Sequence, residues 1–125
     1  MGKLRRLGDA ELEIMQIIWA YPDPMTSNEI LKRLKNRVWQ LSTLMTVLNR
    51  LDEKGFLKCD RTLRTNMYSA TIKEGEYNKS ESEEFLGRLY GSSLRRFVTS
   101  FCGANDVSKE ELFELRDYLD SFAEE

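Results

Sequence analysis

The sequence predicts a mainly α-helical protein with one small β-hairpin: an N-terminal winged helix–turn–helix over residues 1–71 and a C-terminal helical arm over residues 72–125. The predicted elements follow the order helix, helix, helix, hairpin, which is that of a winged helix–turn–helix. The charge is also uneven. Residues 1–71 hold twelve Lys and Arg against eight Asp and Glu, and residues 72–125 hold seven against thirteen. A basic part that can meet a polyanion therefore precedes an acidic part.

Composition excludes several classes of protein. The 125 residues contain no histidine and two cysteines, Cys59 and Cys102, without paired-ligand spacing, so neither a metal site nor a cofactor is expected. No phosphate-binding loop or nucleophile motif is present, and nothing in the sequence suggests an enzyme. No apolar run approaches the ~20 residues that span a bilayer. We therefore expect a cytoplasmic protein with no membrane partner.

The first two helices are predicted from apolar spacing and from their ends. The first covers residues 9–21 behind an N-cap at Gly8 or Asp9, and two prolines, Pro22 and Pro24, follow it. Met25 and Thr26 can form a short extended piece. The second helix begins at Thr26 or Ser27, since Thr26-Ser-Asn-Glu29 has the form of a capping box. Residues 37–39 are expected to form a connector or a short strand.

The third helix is predicted from about Leu41 to Lys54, with Gly55 as the residue that ends it. Its core face has i, i+3, i+4, i+7 spacing, with Leu44, Val47, Leu48 and Leu51. A hairpin follows, with strands over 56–61 and 66–71 and a turn between them.

Three helices are predicted in the arm. They cover about residues 73–90, then a stretch from Leu94 to near Gly103, and finally a helix that opens in the capping box Ser108-Lys-Glu-Glu111.

The outward face of the third helix is suited to reading DNA. A helix in the major groove needs side chains that are short and able to hydrogen-bond to base edges. Basic residues near this helix and the hairpin tip are placed to contact phosphates. The expected DNA-binding residues are Ser42, Thr43, Met45, Thr46, Asn49, Arg50, Lys54, Arg61 and Arg64.

The arm carries more apolar surface than a segment of its length buries alone, since domains below roughly 60 residues are marginal. We expect two copies to bury this surface together in a homodimer, which would present two recognition helices to a palindrome. The alternative is that the arm helices fold back onto the N-terminal domain. The expected interface residues are Phe85, Leu89, Leu94, Phe97, Val98, Phe101, Leu112, Leu115, Leu119 and Phe122.

Several segments together resemble the penicillinase repressor family of bacterial transcriptional repressors, which control β-lactamase, methicillin-resistance or copper-efflux genes. The resemblance covers nearly the whole chain. The segments that carry it are Leu7-Gly-Asp-Ala-Glu-Leu-Glu-Ile-Met15 with Ile18-Trp19, Leu44-Met-Thr-Val-Leu-Asn-Arg-Leu51 with Lys54-Gly-Phe-Leu57, Tyr68-Ser69, Phe85-Leu-Gly-Arg-Leu-Tyr-Gly91, and Ser108-Lys-Glu-Glu-Leu-Phe-Glu-Leu115.

The resemblance implies a DNA-binding winged helix, a helical dimerisation arm and an inverted-repeat operator of double-stranded DNA. By matching position, residues 42–50 form the recognition helix and residues 61–66 the wing. In the antibiotic-responsive members a regulatory protease relieves repression by cutting the arm, and the matching bond here is Ser100–Phe101. The copper-responsive branch has a C-terminal cysteine cluster that this chain lacks.

The chain departs from the family pattern at the recognition helix. The family usually has a basic residue early in this helix, where this chain has Ser42 and Met45, and Gln40 stands where serine is common. Two other functions therefore stay open. The arm, rich in aromatic residues, could bind a small ligand that releases DNA without cleavage. Alternatively, the nearly uncharged recognition face could serve protein contacts alone.

Overall fold

The computed structural model describes residues 4–34 and 39–124, which form six helices and a two-stranded sheet. The chain divides after Ser82 into two compact units. The elements in chain order are α1 (Asp9–Ala20), α2 (Ser27–Arg33), α3 (Leu41–Glu53), β1 (Leu57–Asp60), β2 (Met67–Ala70), α4 (Glu74–Tyr90), α5 (Leu94–Ala104) and α6 (Lys109–Ala123).

The predicted helix starts are confirmed, and their caps have the expected chemistry. Gly8 precedes α1, and its N–H donates to Oε1 of Glu11 at 2.8 Å. Thr26 and Glu29 form the predicted capping box at α2. The Thr26 N–H donates to the Glu29 carboxylate at 3.1 Å, and the Glu29 N–H donates to Thr26 Oγ1 at 3.2 Å. These bonds satisfy backbone donors that a helix leaves free in its first turn.

The hairpin pairs β1 with β2 in antiparallel register, from Leu57 opposite Ala70 to Asp60 opposite Met67. Met25 is extended, as predicted, and joins the sheet. Its N–H donates to the Tyr68 carbonyl at 3.0 Å, and the Tyr68 N–H donates back at 2.7 Å. The sheet is thereby tied to the segment between α1 and α2. Of the predicted connector 37–39, the first two residues lie outside the described part of the chain.

The N-terminal unit has one apolar core between its three helices and the hairpin. The predicted inner face of α3 is confirmed, because all four of its residues are buried. The largest fully buried side chains are Phe56, Ile14, Met15, Ile30, Leu44, Leu48, Leu51 and Leu57. Helices α1, α2 and α3 and strand β1 each supply at least one of these residues, and Phe56 directly precedes β1.

The N-terminal unit extends further along the chain than the expected limit at residue 71. Tyr77, in the first turn of α4, is 4% exposed, and its ring lies 5.5 Å from Phe56 and 5.9 Å from Trp19 between centroids. Its hydroxyl accepts the Leu7 N–H at 3.0 Å and donates to Glu81 at 3.0 Å. The start of α4 therefore belongs to the N-terminal core. The expected boundary at residue 71 follows the change in charge and the end of the hairpin, and neither signal shows that Tyr77 packs against Phe56 and Trp19.

The C-terminal unit is formed by the rest of α4 with α5 and α6. Neither α5 nor α6 contains a buried residue. Phe85, Tyr90 and Phe97 form an aromatic cluster in this unit, with ring centroids 5.5–5.9 Å apart. The unit therefore has local aromatic packing but leaves most of its apolar side chains in solvent.

Candidate nucleic-acid interface

The C-terminal end of α3 is fixed by a glycine in the left-handed region. Gly55 has φ +81°, a conformation that costs a side-chain-bearing residue free energy. The N–H groups around it close the helix: Gly55 donates to the Asp52 carbonyl at 3.0 Å, and Phe56 donates to the Leu51 carbonyl at 2.9 Å. The chain thus turns directly from α3 into β1, which places the hairpin next to the helix.

The outward face of α3 carries most of the predicted base-reading residues. Ser42, Thr43, Thr46 and Asn49 are all exposed, and Met45 between them is half-buried against the core. At 3.6 residues per turn, Ser42, Thr46 and Asn49 lie along the middle of this face. Arg50 is exposed one residue further on. The helix therefore presents a narrow polar strip that leads to one guanidinium group.

The hydroxyl of Thr46 is engaged with its own helix. Its Oγ1 donates to the Ser42 carbonyl at 3.1 Å. The proton of this hydroxyl is already used, so Thr46 offers a partner its methyl group and an acceptor oxygen. The sequence predicts a hydrogen-bonding role for Thr46, but it does not show whether the hydroxyl bonds to the i−4 carbonyl, because this depends on the side-chain rotamer.

Lys54 is placed differently from the other predicted phosphate contacts. Its ammonium lies 2.5 Å from Oε1 of Glu11, and the side chains are 17% and 9% exposed. The ammonium also donates to the Arg6 carbonyl at 3.4 Å. Burial by itself raises the pKa of Glu11, but the Lys54 ammonium and the Gly8 N–H outweigh it and hold this pKa below its ordinary value. Lys54 therefore joins α3 to α1 and is not free for a phosphate.

Arg61 and Arg64 are exposed in the loop between β1 and β2, as the hairpin-tip prediction required. Asp60 orders the entry to this loop, since its Oδ1 accepts the Thr62 N–H at 2.9 Å and the Thr62 hydroxyl at 2.6 Å. These hydrogen bonds from the Thr62 hydroxyl and N–H lower the pKa of Asp60. Leu63, which the sequence analysis did not select, is 57% exposed at the same tip.

The arm residues predicted to form a dimer interface are largely uncovered. Phe97 and Val98 are half-buried, and the other eight are exposed. Phe113 and Tyr118 are exposed too, at 53% and 59%, although the predicted stripe did not include them. The helical spacing that defines the predicted stripe does not include these two residues, because they lie beside its i, i+3, i+7 series.

A cavity of about 200 Å³ opens between α5 and α6, with Phe97, Phe101, Leu112 and Leu115 in its lining.

The bond between Ser100 and Phe101 lies inside α5. Both residues are exposed, and Phe101 is 48% exposed. The Tyr90 hydroxyl donates to Ser100 Oγ at 3.5 Å. The side chains on both sides of the bond are therefore exposed, while the bond itself lies in helical backbone.

Among the described residues, no group of three or more histidine, cysteine, aspartate or glutamate side chains is arranged to hold a metal ion. Within residues 4–34 and 39–124, none of the helices has the length and apolar character of a membrane span.

Three helices, a hairpin directly behind the third helix and a polar outward face on that helix define a winged helix–turn–helix protein. The fold class predicted from the sequence is confirmed. The chain belongs to the penicillinase repressor family, whose model matches residues 7–121.

Similar proteins support this membership along nearly the whole chain. The penicillinase repressor of Bacillus licheniformis is 36% identical, with 96% of this chain and 94% of that protein covered. The methicillin resistance regulatory protein MecI of Mammaliicoccus sciuri is 28% identical, with 94% and 96% covered.

Two solved structures match 62% of this chain and 94% of their own chains, each at 37% identity with a TM-score of 0.52. One is the solution structure of the DNA-binding domain of the repressor BlaI. The other is the monomeric form of B. licheniformis BlaI in complex with the blaP half-operator.

Proposed function

We propose that this protein is a transcriptional repressor that binds an operator in double-stranded DNA through α3 and the hairpin. The exposed polar face of α3 carries the proposal, because it lies in a unit similar to a domain that binds a half-operator. The face contains no acidic residue between Leu41 and Arg50, so no carboxylate there opposes a phosphate backbone. Protein contacts alone would not require this pattern.

The residues of the site divide by chemistry. Ser42, Thr43, Thr46 and Asn49 can contact base edges, with Met45 beside them. Arg50, Arg61 and Arg64 are suited to phosphates, which provide affinity and register but little sequence discrimination. Lys54 is left out of this set because it is paired with Glu11. The proposed binding surface therefore consists of the other eight expected residues.

We further propose that the arm pairs two copies of the chain, so that two recognition helices meet an inverted-repeat operator. The support is the exposed apolar surface of α5 and α6, which includes Leu115, Leu119 and Phe122 at 41%, 47% and 56% exposure. Contiguous apolar surface of this kind is typical of protein–protein contacts. Linking two half-site contacts raises the affinity for the complete operator well above that for either half-site.

Proteolysis between Ser100 and Phe101 is the proposed route of induction. A cut there removes α6 together with Phe101 and leaves the N-terminal unit unchanged. Because the bond lies within α5, a regulatory protease would have to bind this segment in an unwound form. A chain ending at Ser100 should keep its half-site affinity and lose its preference for the complete operator, and retention of that preference would contradict this route.

Release by a small ligand bound in the arm finds less support. The cavity between α5 and α6 measures about 200 Å³, whereas sites for small molecules typically enclose ~300–1,000 Å³. Dimer formation would also use residues that line this cavity.

The binding proposal is tested by titrating the full chain against a duplex from its own promoter region, with a random duplex of equal length as the competitor. We expect preference for the promoter duplex and affinity that falls steeply with salt, because counterions are released from phosphates. The double variant Asn49→Ala, Arg50→Ala should lose this preference. Equal binding to both duplexes by the unmodified chain would exclude the proposal.

A further inference from the structure

Among the exposed residues of α3, one is apolar: Leu41, the first residue of the helix, is 44% exposed. It was not assigned to the DNA-binding surface from the sequence. Met45 follows one turn later along the same edge of the helix and is half-buried. The edge of the polar strip therefore begins with an aliphatic side chain whose exposure the core packing does not explain.

The nearby Thr46 adds a second apolar group to this surface. Since its hydroxyl donates to the Ser42 carbonyl at 3.1 Å, the methyl group is available for contact. Asn49 lies one turn further and is exposed. The surface thus combines aliphatic groups and the hydroxyls of Ser42 and Thr43 with one side-chain amide, and between residues 41 and 49 it contains neither lysine nor arginine.

The groups that bases present in the major groove indicate which base pairs this set of side chains can contact. In the major groove thymine presents a 5-methyl group, adenine presents an acceptor and a donor that match an amide, and guanine presents two acceptors that arginine or lysine commonly contact. A helix whose exposed residues from 41 to 49 offer methyl groups, an amide and hydroxyls that do not discriminate between bases, and no cation, matches A·T pairs. The first cation, Arg50, comes only after this surface.

We propose that α3 selects its half-site by contacting thymine 5-methyl groups with Leu41 and Thr46, while Asn49 binds an adjacent adenine. This inference rests on the proposed function and adds the base pairs that the recognition helix reads. It makes Leu41 a specificity-determining residue.

The test replaces thymine by uracil, which removes the methyl group and leaves the pairing edge unchanged. A preferred duplex is first selected from a random-sequence pool with the full chain. Each thymine of that duplex is then replaced in turn and the affinity is measured. We expect one or more positions at which uracil weakens binding about fourfold, as expected for one buried methyl group.

Two variants connect these positions to the side chains. Thr46→Ser removes one methyl group and keeps the hydroxyl, and Leu41→Ala removes the aliphatic side chain of an exposed position. Each should bind the thymine duplex more weakly and should lose its sensitivity to uracil at one position. Thr99→Ser, at an exposed threonine of α5 outside the DNA-binding surface, is the matched control and should keep the full uracil sensitivity.

The possible outcomes distinguish a failure of the thymine contacts from a failure of the proposed repressor function. If the chain enriches no sequence from the pool, both the proposed function and this inference fail. If it enriches a sequence whose affinity is unchanged by uracil at every position, the thymine contacts are wrong and the repressor function stands. The same holds if both α3 variants keep the uracil response of the unmodified chain.

Discussion

At the scale of single residues, the pair formed by Glu11 and Lys54 links the helix that opens the chain to the end of the recognition helix. Glu11 accepts the Gly8 N–H at the start of α1 and contacts the Lys54 ammonium just after α3. The carboxylate of Glu11 thus caps α1 and also neutralises the largely buried ammonium of Lys54. The spacing of residues 11 and 54 in the sequence gave no sign of this contact.

Glu11→Gln should lower the free energy of unfolding at neutral pH by about 2 kcal/mol, the size of a hydrogen bond to a charged group. The folded-state pKa of Glu11 is lowered, so this stabilisation is complete above about pH 5 and is lost as pH falls through that pKa. Chemical denaturation of both proteins at several pH values measures the difference. We expect the two stabilities to converge in acid.

The control for this prediction is Glu53→Gln, which makes the same chemical change at an exposed position of α3. It should leave the stability within about 0.5 kcal/mol of the unmodified chain. A constant gap between Glu11→Gln and the unmodified chain from pH 7 to acid would show that the charge of Glu11 is not the cause.

At the scale of elements, the hairpin is a short sheet with an ordered, basic tip. Its inner edge is tied to Met25 by two backbone hydrogen bonds, and its loop entry is held by Asp60. Arg61 and Arg64 are therefore presented by a loop that is fixed at both ends. A loop fixed in this way loses little conformational entropy when it contacts a phosphate.

Arg61→Ala and Arg64→Ala should each reduce the magnitude of the log–log salt slope of operator binding by about one, with sequence preference unchanged. Binding titrations at several salt concentrations measure the slope. Arg116→Ala removes an exposed arginine of α6 that pairs with Asp117, and it serves as the control with an unchanged slope. A loss of preference between operator and random duplex in the Arg64 variant would instead assign that residue to base reading.

At the scale of the whole molecule, the two units differ in how completely each buries its own apolar side chains. Among the described residues, fifteen form the buried core of the N-terminal unit: fourteen lie before α4, and the last, Tyr77, lies in α4. The C-terminal unit leaves Leu89, Leu94 and Tyr118 at least half exposed. A helical unit with this exposure in one chain is suited to association with a second copy.

Replacing both Leu115 and Leu119 with aspartate should give monomers, because two unpaired carboxylates at a buried interface are costly. Analytical ultracentrifugation measures the mass in solution. The N-terminal core is remote in sequence from these positions, so affinity for a single half-site should stay unchanged. The matched control is Asp117→Asn with Asp120→Asn, which alters exposed charges of the same helix. A dimer that survives the leucine changes would place the interface elsewhere.

Much of the fold follows from local sequence patterns. Helix α3 was predictable because four leucine and valine residues repeat at helical spacing and Gly55 ends the helix, and both signals are local. The burial of Tyr77 was not predictable, since it depends on Leu7, Trp19 and Phe56 meeting in three dimensions. The same reason explains Lys54, whose partner lies 43 residues away. Leu41 was overlooked because an apolar residue at a helix start is normally assigned to the core.

The attachment of Tyr77 to the N-terminal core has a consequence for gene control. A cut after Ser100 would leave every residue of that core in one fragment, so the product would be a folded, weakened competitor and not an inactive remnant. The fragment would still occupy single half-sites when abundant. The duration of induction would then depend on how fast cells dilute or degrade this fragment, as well as on the rate of cutting.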